Sequence, residues 1–174
     1  MTTLHEVGQY FDAPSHPPPP ERRRAPRRSA PPPVYLELAK WLLTRESSDV
    51  DSAVSVPEAA ERVCQKLLER LAKLITPSGC HALLARALHL ACEDFRFLRG
   101  IQPESTAGTY LGGLMRSAEG TDPGQVHRGL AWLLGTLLEL VALFIGDYLT
   151  RRMLREIWPD VPVLEPAHTL HIVE

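Results

Sequence analysis

Apolar residues recur at helical spacing along most of this chain, and no stretch reads as a strand. The first apolar face belongs to residues 34–45, where Leu38, Trp41 and Leu42 share one side of a short predicted helix. Residues 47–55 are polar and acidic and read as a linker. Ser55 and Glu58 then form an S-x-x-E capping box with Pro57 in the first turn, which marks the start of a second helix. Its stripe is Ala60, Val63, Cys64, Leu67, Leu68, Leu71, Leu74 and Ile75. Glu58 with Arg62, and Glu69 with Lys73, stand at i, i+4 on its wet side.

Thr76 and Pro77 close that helix and open a third, predicted over 77–98 and ended by Gly100. Its stripe runs through Cys80, Leu83, Leu84, Ala87, Ala91, Phe95 and Leu98. Asp94 falls on the same stripe. It reads as a boundary position near the helix end, and alternatively as a polar group at a pocket beside the glycines that follow.

Residues 100–124 hold six of the chain's eleven glycines. A short helix is expected over 109–118, with Tyr110, Leu111, Leu114 and Met115 on its apolar side. Each interior glycine weakens it by about 1 kcal/mol relative to alanine. This should be the least stable ordered part of the domain.

Asp122 and Pro123 start a last helical pattern that continues to Trp158. A straight helix of that length would measure about 54 Å, against about 35–40 Å for the whole domain. A break is therefore expected at Gly146-Asp147, with the glycine closing one helix and the aspartate capping the next.

Residues 129–146 are apolar apart from Thr136 and Glu139. As a transmembrane helix the stretch would span about 27 Å, slightly short of the bilayer core, with Glu139 near its centre. A buried central helix is the preferred reading. Leu130, Leu133, Leu134, Leu137, Val141 and Phe144 then form the heavy face. Trp132, Gly135, Glu139, Ala142 and Gly146 form the other, where small residues admit a close neighbour. A dimer seam along Gly135, Ala142 and Gly146 is compatible with this reading. Glu139 then calls for an arginine partner.

The predicted fold is all-α: a compact bundle of about five or six helices around a hydrophobic central helix. The domain is read as 34–158, with a C-terminal tail at 159–174. The N-terminal tail, 1–33, carries nine of the sixteen prolines and the arginines 22, 23, 24, 27 and 28. Such a segment buries too little apolar surface to offset its ordering entropy, so it is expected to be disordered with polyproline II character. It is expected to act as a solvated spacer, or alternatively as a ligand for a proline-recognition domain or a weak anchor on an anionic surface.

Composition narrows the function classes without choosing one. The tail is net positive, while the remainder holds 14 basic and 18 acidic residues. A net-acidic helical domain argues against nucleic-acid binding. Three cysteines at unpaired spacing do not make a disulfide framework, and no apolar run near residue 1 suggests a secretory signal, so a cytoplasmic location is expected. Cys80, His81, His89 and Cys92 invite a metal reading. At 100° per residue, however, His89 points away from Cys80, and His89 with Cys92 is too few ligands. Neither a catalytic constellation nor a phosphate loop is found, and no cofactor is expected. Gly108 and Gly112 match G-x-x-x-G only outside an apolar span.

The expected function is a non-enzymatic protein–protein interaction module, an adaptor or regulator in cytoplasmic signalling with a protein partner, and homodimerisation is compatible with it. The alternatives are a small-ligand-binding protein or enzyme with a pocket near 100–118, and a membrane-associating protein that uses 129–146. The expected binding residues are Tyr110, Leu114, Met115 and Arg116, on a mobile segment held by a rigid scaffold.

Deleting the tail, residues 1–33, should leave the thermal midpoint nearly unchanged. A large loss of cooperativity would show that the tail is part of the fold.

Overall fold

The computed structural model describes residues 30–47, 55–106 and 109–162. The tail expected to be disordered lies outside these residues up to position 29, as does the C-terminal tail beyond 162. The protein is all-helical in class, with six α-helices among the described residues: α1 (Pro33–Ser47), α2 (Val56–Leu71), α3 (Pro77–Asp94), α4 (Leu114–Ala118), α5 (Pro123–Ile145) and α6 (Asp147–Ile157).

Local signals set the helix starts. Ser55 and Glu58 close the capping box at α2, and that contact holds the Glu58 carboxyl below its usual range. Thr76 caps α3 by accepting from the Gly79 N–H, and Asp122 caps α5 by accepting from the Gln125 N–H. The helix ends agree less well with the periodicity. α2 stops at Leu71, and residues 72–75 turn back toward Thr76, which leaves Leu74 exposed. On its wet side Glu69 accepts from Gln65, and no ion pair with Lys73 forms. α3 stops at Asp94 because Phe95 is extended, and a 3-10 turn, Arg96–Gly100, follows.

The segment expected to form a helix over 109–118 is mostly a β-hairpin. β1 (Gln102–Thr106) pairs antiparallel with β2 (Thr109–Gly112), in the register Gln102 with Gly112 and Pro103 with Leu111. The residues explain this. Thr106, Thr109 and Tyr110 favour strand, Pro103 has no N–H to spend, and Gly113 adopts φ 81°, which ends β2 and leaves only five residues of helix in α4. An isolated two-stranded hairpin is marginal, and α2 supplies its support. The Glu61 carboxylate accepts from the backbone N–H groups of Tyr110 and of Leu111, the latter at 3.0 Å.

α5 is the centre of the bundle. Leu130, Leu133, Leu134 and Leu137 are fully buried, and so is Val141. α1 packs along one side of it and α3 along another, with α2 and α6 completing the cover. The close approach of α1 depends on Gly135. A Cβ there would stand 3.3 Å from the Leu36 Cα and from the Tyr35 carbonyl oxygen, and 3.2 Å from the Pro31 ring. The small-residue side of α5 is therefore occupied at Gly135 by this chain's own α1 rather than left free as a dimer seam. Pro31, assigned to the tail by composition, is buried in that contact, and the Pro32 carbonyl accepts from Tyr35 and Leu36 at the start of α1, so the segment whose deletion should be silent ends at residue 29 rather than 33. Gly129 plays the same role toward α3, beneath the rings of Phe95 and Phe97. Trp132 lies beside Phe95, with ring centroids 6.4 Å apart.

The break at Gly146 occurs where expected, with φ 86°. Asp147 does not cap α6. It is the first helical residue, and its carboxylate accepts from the Tyr35 hydroxyl at 2.8 Å. Burial, and then this bond, push the Tyr35 phenol up to about 12. Phe144, expected on the buried face, is exposed, because the last turn of α5 runs past its cover. Glu139 is half-buried, and among the described residues it forms no ion pair with an arginine.

Among the described residues one charged side chain is buried. Glu46 is 3% exposed and accepts from the Lys66 ammonium at 2.6 and 2.9 Å and from the Trp158 indole at 2.7 Å. It joins α1, α2 and the end of α6. Arg45 with Asp160 and Arg70 with Glu156 close the same end from outside. The Thr136 hydroxyl is buried with no partner among the described residues.

Gly135→Leu should destabilise the protein by about 2–3 kcal/mol, because the added side chain meets backbone. That corresponds to a midpoint lowered by about 5–10 °C. A wild-type midpoint would mean that α1 is not seated on Gly135.

Candidate functional site

Of the four residues expected to bind a partner, three reach the surface and Leu114 is buried. Tyr110, on β2, is half-buried over a small cavity. Leu114 is only 3% exposed and belongs to the core, so it contributes nothing to a surface in this state. Met115 and Arg116 are exposed on α4. Glu61, which holds β2 in place, was not singled out by the sequence. It looks like any other carboxylate on the wet side of an amphipathic helix, and only the folding of β2 onto α2 gives it two backbone donors.

The cavity under Tyr110 has a volume of about 220 Å³. Leu68, Cys80 and Leu84 form its inner wall, and His81 and Glu104 stand at its rim. The Cys80 thiol donates weakly to the Leu68 carbonyl at 3.9 Å, and burial pushes its pKa up. A neutral thiol is a poor nucleophile. The Tyr110 phenol is also pushed up, first by burial and then by Glu69. The apolar inner wall of the cavity is suited to holding an apolar group.

A second cavity, of about 770 Å³, is an open cleft between the end of α3 and the start of α5. Asp94 lines it and is exposed as the last residue of α3, so both readings of this residue describe its position. Arg96 and Arg128 face the same cleft as Asp94 and Asp122, so charge of neither sign dominates. Among the described residues no three metal-ligating side chains come together. Cys80 is buried while His81 and His89 are exposed.

The most pronounced surface feature is the corner between α5 and α6. Leu143 is 72% exposed, Phe144 63%, Tyr148 76% and Leu149 40%. Only Leu74 and Met115 are comparable among the described large apolar residues. The signal was present in the sequence: Leu143 lies off the heavy face of α5, and Tyr148 and Leu149 follow the break at once. It was masked by the continuous apolar run that leads into it.

Glu61→Ala should accelerate hydrogen exchange at the Tyr110 and Leu111 amides about ten-fold or more, since a bond to a charged acceptor is worth about 1.5–3 kcal/mol. Unchanged protection would show that the hairpin holds itself without α2. Comparison with known proteins gives no match: no family model, no curated protein and no solved structure resembles this chain.

Proposed function

We propose that this chain is a non-enzymatic docking module whose working face is the apolar corner between α5 and α6. One observation carries the reading: Leu143 and Phe144 at the end of α5 and Tyr148 and Leu149 at the start of α6 are each exposed within seven residues of chain, with Leu149 facing a groove toward Leu74. Contiguous apolar patches on soluble domains mark interaction sites, and aromatic residues are enriched in them. The corner is also well supported. α5 is buried as far as Ala142, one residue before the patch begins, and α6 is anchored beneath it through Met153, Leu154 and Trp158. Little order must be gained on binding, which favours affinity from a small area.

The second reading is a small-ligand protein, and the cavity under Tyr110 favours it. Its volume of about 220 Å³ is enough for a small apolar molecule. The thiol and phenol around it are both held neutral, which supports binding over catalysis. α5 is long and apolar enough to cross a membrane, but two-thirds of its apolar window is buried in the bundle. Using it as a span would require the bundle to open. A reducing cytoplasm fits three free cysteines.

The test places a photo-crosslinking amino acid at Tyr148 of the full chain, expressed in its own host, with the exposed Arg86 on α3 as the control position. A discrete adduct is expected from position 148 and not from 86, and it should be lost when Phe144→Ser is added. Equal labelling at both positions, or none at 148, would overturn the reading.

A further inference from the structure

We infer that the cavity under Tyr110 binds a small organic ammonium ion, an amine with an apolar body of about eight carbons whose charged head is held by Glu104. The inference rests on the small-ligand reading of this cavity and names the ligand class.

The walls set the size and character of the body. Three parts of the fold converge on the cavity: the end of α2 through Leu68 and Ala72, α3 through His81 and Leu84, and the hairpin through Glu104 and Tyr110. Leu68 and Leu84 are buried and make the inner wall apolar. The Cys80 thiol beside them is turned to the Leu68 carbonyl and adds no charge. A cavity of roughly 150 Å³ holds benzene. At about 220 Å³ this one has room for a ring and a short arm.

The rim selects the sign of that arm. Among the described residues no lysine or arginine lines the cavity, and Glu104 forms no ion pair. Its position depends on Gly112, its neighbour on the facing strand. A Cβ on Gly112 would collide with the Glu104 carboxyl group. Without that side chain the carboxylate lies over the β2 backbone and borders the cavity. The Tyr110 phenol also stands in the field of Glu69 and Glu61, so the hairpin side of the cavity is acidic. A ligand carboxylate would meet like charge there, and an uncharged ligand would leave Glu104 unused. An ammonium group can donate to Glu104 in a charge-assisted bond and gains from the aromatic ring of Tyr110. On the α3 side of the rim, a neutral His81 imidazole offers one accepting nitrogen to the same group.

The test titrates the full chain with three probes of one ring size: 2-phenylethylamine, 2-phenylethanol and phenylacetate. It is done at pH 8, where imidazole is ordinarily neutral and a primary amine still charged. Methyl NMR shifts of Leu68 and Leu84 report occupancy. The amine is expected to bind about five- to ten-fold more tightly than the alcohol, and phenylacetate more weakly than either. Glu104→Gln, at an exposed position, should bring the amine down to the affinity of the alcohol and leave the alcohol unchanged. Ala72→Phe, also at an exposed position, should fill the mouth and abolish the shifts from all three probes with an unchanged circular dichroism spectrum. The Glu104→Gln comparison decides the inference even where Ala72→Phe alters the fold. If amine and alcohol bind equally, or Glu104→Gln keeps the preference for the amine, the ammonium inference falls and the small-ligand reading stands. If no probe shifts Leu68 or Leu84, or a folded Ala72→Phe still binds, both fall.

Discussion

A helix that is apolar on nearly every side can exist in water only if it is surrounded, and α5 imposes that condition on the whole domain. Its leucines at 130, 133, 134, 137 and 138 point in different directions and are all buried. Two flanking helices approach at points where α5 has no side chain. α1 crosses at Gly135, and the aromatic turn after α3 closes over Gly129. Glycine inside a helix costs about 1 kcal/mol of propensity relative to alanine. At Gly135 that cost is offset by close approach to the α1 backbone, and at Gly129 by contact with the Phe95 and Phe97 rings.

The remaining elements are tied to this arrangement through α2 by different means. Glu46 is buried and fully engaged, with the Lys66 ammonium and the Trp158 indole on its carboxylate. A buried carboxylate with two donors is tolerated because its charge is paired and its lone pairs are used. It ties together helices distant in sequence, and removing either donor would leave the charge under-satisfied. The glycine-rich segment has too little apolar content to pack by itself. It is held as a hairpin by Glu61, a side-chain acceptor that completes the outer edge of β2. Both devices use a carboxylate, one to join helices through side chains and one to hold backbone.

The cover around α5 thins after Ala142: Leu143 and Phe144 are exposed while Ile145 still packs on the core, and α6 begins after Gly146 with Tyr148 and Leu149 exposed. The same apolar continuity that drives α5 into the core thus produces an exposed surface where the core ends. The Tyr35 hydroxyl of α1 reaches Asp147 beside this corner and fixes the start of α6 against the body.

Periodicity and capping chemistry alone determined the all-α class, the starts of α2, α3 and α5, and the break at Gly146. These depend on interactions within a few residues: a hydroxyl or carboxylate reaching N–H groups three positions on, or a glycine able to take positive φ. The central place of residues 129–146 was also legible, because no other environment in water suits such a sequence. What the sequence did not determine depends on contacts between distant segments. The strand character of Thr109–Gly112 needed the acceptor on Glu61 to outweigh a helical pattern interrupted by glycine. The burial of Leu114 and the exposure of Phe144 were decided by where neighbouring elements end, which helical periodicity does not encode. Glu46 and Glu61 resemble solvated helix carboxylates until the tertiary fold brings Lys66, Trp158 and the β2 backbone to them, because a charge becomes structural only when its partners arrive from elsewhere in the chain.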